Sequence, residues 1–172
     1  MATYMHRYKQ TKAATVKQWT NIKADVELLL ANIPPTSESA GSTFAHLSLL
    51  LADGTGKPGT VPKVTTEEIA LNGVEGKHDL SHESLWLTRT KNIEPEAHYC
   101  RTARKPYDLV VCAVLLVLQH HAPGVWTITT DGTLEDWDPA REWVEGVLGY
   151  PGFDEVLLIC GEANDTRNQC AS

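Results

Sequence analysis

Ten consecutive apolar residues, Leu109 through Leu118, contain neither glycine nor proline and constrain this chain more than any other feature. A run of that character has to leave water, so the rest of the fold must pack around it. Its ends read as helix boundaries. Pro106 suits a first helical turn, where its missing N–H would have had no intrahelical partner. Asp108 suits the positive end of the helix dipole, and His120 and His121 suit the negative end. Pro123-Gly124 cannot continue the helix. Sixteen residues stand between Pro106 and Pro123, a helix length rather than a strand length. The apolar run is also too short for a bilayer, which needs roughly 20 residues. A buried central helix is the reading.

The flanking segments supply what covers it. Tyr4 to Lys9 reads as a short strand. From about Lys12, the residues Val16, Trp19, Ile22, Val26, Leu29 or Leu30, and Ile33 draw one apolar stripe at helical spacing. Pro34-Pro35 ends that helix. Thr36 to Thr43 is a polar loop, and Phe44 to Ala52 reads as a strand running into a mobile turn over Asp53 to Gly59. The Gly56-Lys57 pair in that turn is not a phosphate loop: Leu51 stands where the motif needs glycine, and Pro58 where it needs serine or threonine. Glu67 to Asn72 and Glu83 to Thr88 alternate as an antiparallel pair. Val125 to Thr130 is a β-branched strand. Asp138 as N-cap, Pro139 at the first position and Gly149 past the end frame a last helix, with Trp143, Val144, Val147 and Leu148 on its apolar face. Glu155 to Cys160 reads as a final strand. The expected architecture is a single α+β domain over residues 1–160. In it the central helix packs against an antiparallel sheet, built from the 67–88 region with Val125–Thr130, and two flanking helices. Residues 161–172 form a polar tail.

Composition narrows the function classes. A chain of 172 residues can bury a core without staples. Its four cysteines show no CxxC spacing, so neither a zinc ribbon nor a redox pair is indicated, and Cys112 reads as a buried free thiol. The first residues hold no apolar secretory segment. A reducing, cytoplasmic setting without a membrane or cofactor is the expectation. The net charge of −7 is unevenly spread. Residues 1–106 carry 13 cations against 11 acids, whereas residues 107–172 carry 2 against 11. The first 23 residues hold five cations (Arg7, Lys9, Lys12, Lys17 and Lys23) and no acid. Such a balance argues against wholesale wrapping of nucleic acid and leaves room for a local anion site or a charge-steered partner.

Two constellations stand out as candidates. Arg101, Arg104 and Lys105 precede the central helix, where the dipole disfavours cations. Either an anion joins them, such as a phosphate, a nucleic-acid backbone or a partner carboxylate, or acids of the chain itself pair with them: Asp108, Glu94, Glu96 or the acidic C-terminal third. The second set is Asp131, Glu135, Asp136 and Asp138, whose carboxylates at a strand end could hold Mg²⁺ or Ca²⁺ and work with Lys105 in phosphoryl chemistry. Against that, Asp138 caps a helix and Asp131-Gly132 is ordinary turn chemistry. His78 and His82, four apart, lack the glutamate that a zincin pattern requires after the first histidine. Cys100 with His98 makes no nucleophile motif, and His120-His121 read as dipole partners.

Thr102-Ala103-Arg104-Lys105-Pro106-Tyr107-Asp108, the apolar helix ending in His-His, Thr130-Asp131-Gly132 and Trp137 together resemble a group of small bacterial and phage-borne proteins. The likeness spans about residues 98–150, and more faintly the region from Asn72-Gly73 to Glu83. It implies a bacterial or phage setting and a small accessory protein, and it brings no activity with it. The expected function is therefore a non-enzymatic binding protein. It would meet a protein partner or a phosphate-bearing ligand through Arg101, Arg104 and Lys105. The alternative is a metal-dependent hydrolase or nuclease using Asp131, Glu135 and Asp136.

Overall fold

The computed structural model describes residues 4–36, 48–76, 78–90 and 97–150, together with the backbone of 159–160. Strand β1 (Met5–Gln10) leads into helix α1 (Val16–Leu30); the short strands β2 (Leu51–Ala52) and β3 (Lys63–Val64) precede β4 (Glu68–Gly73) and β5 (Leu85–Thr88). Strand β6 (His98–Arg101) then runs into the central helix α2 (Asp108–His121). After it come β7 (Trp126–Thr130), a 3-10 turn over Leu134–Trp137, helix α3 (Asp138–Leu148) and β8 (Ile159–Cys160). The chain is an α+β protein, and among the described residues no helix is long and apolar enough to cross a membrane.

Helix α2 is the centre of the packing. Every residue from Asp108 to Leu118 is buried, and the helix contacts α1, α3 and β7. Four of these residues are valines, which favour strands slightly. Burial, at about 1.5–3 kcal/mol per large side chain, overrides that preference. Helix α1 buries Trp19, Ile22, Val26 and Leu29, four positions of the expected stripe. Thr15 starts it with a capping box, exchanging hydrogen bonds with Gln18.

The strands separate into two sheets, not the one expected. The first has the order β6-β1-β7-β8, with β1 antiparallel to both β6 and β7, while β8 runs parallel to β7. The second places β4 between β2 and β3 and pairs it with β5 in antiparallel register, Glu68 opposite Thr88 and Leu71 opposite Leu85. The pairing of the 67–88 region holds, but Val125–Thr130 does not join it: β7 zips instead onto the N-terminal strand, Tyr8 opposite Ile128. Strand β6 was not anticipated, because His-Tyr-Cys-Arg is too short and polar to announce a strand. Residues 37–47, 151–158 and 161–172 lie outside the described residues, and with them the polar loop, most of the final strand and the tail.

Asp138 is not the expected cap. It is the first residue of α3, and the 3-10 turn just before it is closed by Thr133 and Asp136 exchanging hydrogen bonds. Gly149 does end α3, at φ 69°.

Candidate functional site

The segment from Arg101 to Asp108 joins β6 to α2 through a strained turn. Ala103 and Arg104 both adopt left-handed backbone, at φ 51° and 56°, which costs roughly 1–2 kcal/mol for each residue with a Cβ. Several bonds hold the turn there. Ala103 N–H donates to the Tyr4 carbonyl at 3.1 Å, and Thr102 Oγ1 donates to Asp108 Oδ1 at 2.6 Å. The Arg104 guanidinium lies 4.1 Å from the centroid of the Tyr4 ring, a cation–π contact.

Each of the three cations singled out in the sequence meets a carboxylate of the chain. Arg101 Nη1 donates to Glu83 Oε1 at 2.7 Å, and its backbone N–H donates to Glu83 Oε2 at 2.8 Å. Arg104 grips both oxygens of Asp136. Burial alone would raise the Asp136 carboxyl, but the Arg104 hydrogen bond and the Thr133 N–H outweigh it and lower the pKa. Lys105 is buried; its ammonium donates to the Ser81 carbonyl at 2.5 Å and stands 3.1 Å from Asp79 Oδ2. The turn that carries Ser81 can come so close because Gly73 has no side chain: a Cβ there would lie 1.9 Å from the Leu80 carbonyl oxygen. Arg101 borders an open cleft of about 470 Å³, which it shares with His82, Glu83, Ser84, His98 and Tyr99.

The acidic set is engaged in structure. Asp131 Oδ1 accepts the Met5 N–H at 2.8 Å, Asp136 serves Arg104 and Thr133, and Glu135 is exposed. Asp138 pairs with Arg141. The Lys105 ammonium faces Ser81 and Asp79 rather than these carboxylates. His82 Nδ1 accepts the N–H of Glu83 at 2.9 Å, as a turn residue would.

Two groupings were not assembled from the sequence, although Arg7 and Lys9 were counted there among the N-terminal cations. Beneath β1, His6 is fully buried and its Nε2 lies 2.7 Å from Asp108 Oδ1 and 3.6 Å from Cys112 Sγ. Cys112 Sγ in turn stands 3.8 Å from Asp108 Oδ2. Burial, then the Asp108 charge, pushes the Cys112 thiol pKa well up. This is not a nucleophile triad, because both neighbours meet the same imidazole nitrogen and the thiol is sealed from solvent. The i, i+4 spacing of Asp108 and Cys112 was the available signal. Nothing local pointed to His6, 102 residues away from Asp108.

The second grouping is on the outer side of the same strand. Arg7 and Lys9 are exposed, and together with Thr127 and Thr129 they line a hollow of about 210 Å³. Arg7 stands opposite Tyr99 and Thr129 in the sheet, and Lys9 opposite Thr127. The Arg7 guanidinium is 5.6 Å from the Tyr99 ring centroid. Among the described residues Arg7 and Lys9 have no ion pair, nor do Lys12, Lys17 and Lys57, whereas Lys23, Lys63, Arg89, Arg101, Arg104 and Lys105 are all paired.

The molecule is thus an α+β domain with a basic outer sheet face and a polar cluster sealed beneath it. No protein-family model matches the chain, and neither a curated protein nor a solved structure matches it.

Proposed function

We propose that this is a small non-enzymatic binding protein that takes a phosphate-bearing ligand on the outer face of its first sheet. Arg7 and Lys9 are the principal contacts, with Tyr99 and Arg101 on the neighbouring strand. The observation that carries the reading is that Arg7 and Lys9 point outward from one strand with no carboxylate partner among the described residues, in a protein of net charge −7. Alternate residues of a strand lie about 6.5–7 Å apart, so two cations can reach one extended anion. Arg101, although paired with Glu83, stands on β6 on the same face as Tyr99 and Arg7, whereas Arg104 and Lys105, also paired within the chain, lie in the turn beyond that strand and drop to a supporting role. The resemblance noted in the sequence adds a bacterial or phage accessory role, and the cysteine usage a cytoplasmic setting.

Thermal-shift titration with inorganic phosphate, nucleotides and short oligonucleotides tests this. A ligand at ~100 times its Kd adds ~2.7 kcal/mol of stability. Stabilisation lost in Arg7→Ala/Lys9→Ala and kept in Arg104→Ala, and weakening with salt, is the expected pattern. A flat response of the wild-type chain, or loss in Arg104→Ala alone, would refute it.

A further inference from the structure

Beneath the sheet lies a second chemistry, independent of the outer face. His6, Asp108 and Cys112 bring a nitrogen, a carboxylate oxygen and a sulfur within 4.8 Å of one another, all buried. We propose that these three residues are a structural binding site for a divalent zinc-type ion, tying β1 to the first turns of α2.

Two of the three separations suit that ion, and the third, 2.7 Å from His6 Nε2 to Asp108 Oδ1, is a hydrogen bond that the metal would replace. With zinc about 2.3 Å from sulfur and about 2.0 Å from nitrogen, the observed 3.6 Å between Cys112 Sγ and His6 Nε2 gives an angle near ~110° at the metal. The 3.8 Å from Cys112 Sγ to Asp108 Oδ2 gives roughly 120°. Both are close to tetrahedral. Thr102 already donates to Asp108 Oδ1, which orients the carboxylate with Oδ2 towards the sulfur, as outer partners do in metal sites. His6 Nδ1 has no hydrogen bond among the described residues. With the ring proton on Nδ1, Nε2 presents its lone pair to the metal in place of its contact with Asp108 Oδ1. The Tyr4 hydroxyl is also buried with no hydrogen bond among the described residues. Its ring packs edge-on against the His6 imidazole, with centroids 5.0 Å apart. Binding removes the Cys112 thiol proton to solvent and leaves thiolate, neutral imidazole and carboxylate around the cation. A mixed sulfur, nitrogen and oxygen set of this kind suits zinc rather than magnesium or calcium, which take oxygen. With every donor buried, the ion's role is to stabilise the fold.

The test uses the full chain, reduced and stripped with chelator, then titrated with Co²⁺ and afterwards Zn²⁺. A sulfur-to-cobalt charge-transfer band should appear in the near ultraviolet, be bleached by Zn²⁺, and vanish in Cys112→Ala. It should persist in a chain carrying Cys100→Ala, Cys160→Ser and Cys170→Ser, in which Cys112 is the sole thiol. Thr102→Val should weaken the metal about 10–100-fold. A folded wild-type chain with no band, or a band that survives in Cys112→Ala, overturns the proposal. X-ray absorption on the zinc-loaded wild-type chain decides without any variant: one sulfur with nitrogen and oxygen neighbours supports the site, and a shell lacking sulfur refutes it.

Discussion

Strand β1 has two faces, and they treat polar groups in opposite ways. Inward, His6 is locked between the Tyr4 and Trp137 rings, with centroids 5.0 and 5.1 Å away, and bonded to Asp108. Outward, Arg7 and Lys9 stand in solvent with no carboxylate opposite them among the described residues. An interior charge has to be matched, because an unpaired one is penalised in low dielectric. An exterior cation is hydrated, so leaving it unmatched is nearly neutral for folding and leaves it available to a ligand. On the proposed reading, the inner face serves stability and the outer face serves binding.

Breaking the inner face should have the largest effect. Asp108→Ala strands His6 and the Thr102 hydroxyl in the core and should lower stability by about 3–5 kcal/mol, read by urea denaturation. A loss under 1 kcal/mol would mean that the cluster is not held as described. Lys105→Ala comes next. It removes a buried ammonium and leaves the Ser81 carbonyl without its donor, for about 2 kcal/mol. A Lys105→Ala chain of normal stability would return that cation to the surface and blur the contrast.

Arg104→Ala is expected to lose only about 1 kcal/mol, since a guanidinium about one-third exposed is screened by water. Its signature is in the pH dependence. The Asp136 carboxyl has a pKa below its ordinary 3.8 in the folded state, so its contribution is fully present above that value and is lost as pH falls through the folded pKa. Acid denaturation should begin at higher pH in Arg104→Ala than in the wild type, and the two curves should run parallel above about pH 5. Ala103→Gly relieves a left-handed alanine and should raise stability by about 0.5–1 kcal/mol. The smallest effect on folding belongs to Arg7→Ala/Lys9→Ala, within about 0.5 kcal/mol of wild type, although ligand stabilisation should disappear. A large stability loss there would break the comparison from its outer side.

How much could be read without coordinates follows the range of the interactions. The central helix was legible between its prolines because an apolar run and its breakers are local. The same holds for the α1 stripe and for the β4–β5 pair, where strand and partner are separated only by a short connection. The cap at Asp138 was misplaced by a few residues because Thr133 with Asp136 offered an equally local closure one turn earlier. Among the site residues, clustering in sequence does not carry over to clustering in space: Arg101, Arg104 and Lys105 are neighbours along the chain, yet Arg101 and Lys105 reach Glu83 and Asp79 in the β4–β5 connection and Arg104 reaches Asp136 in the 3-10 turn.

The sequence by itself determined the α+β class, the buried helix and the uneven charge, since each depends on composition or on periodicity within about 20 residues. Only the tertiary structure decided that β7 pairs with β1 rather than with β4. It alone placed His6 against Asp108 and Cys112, buried Lys105, and left Arg7 and Lys9 without carboxylate partners among the described residues. Those outcomes depend on which segments pack together, through contacts a hundred residues apart, and no local pattern encodes the partner of a long-range contact.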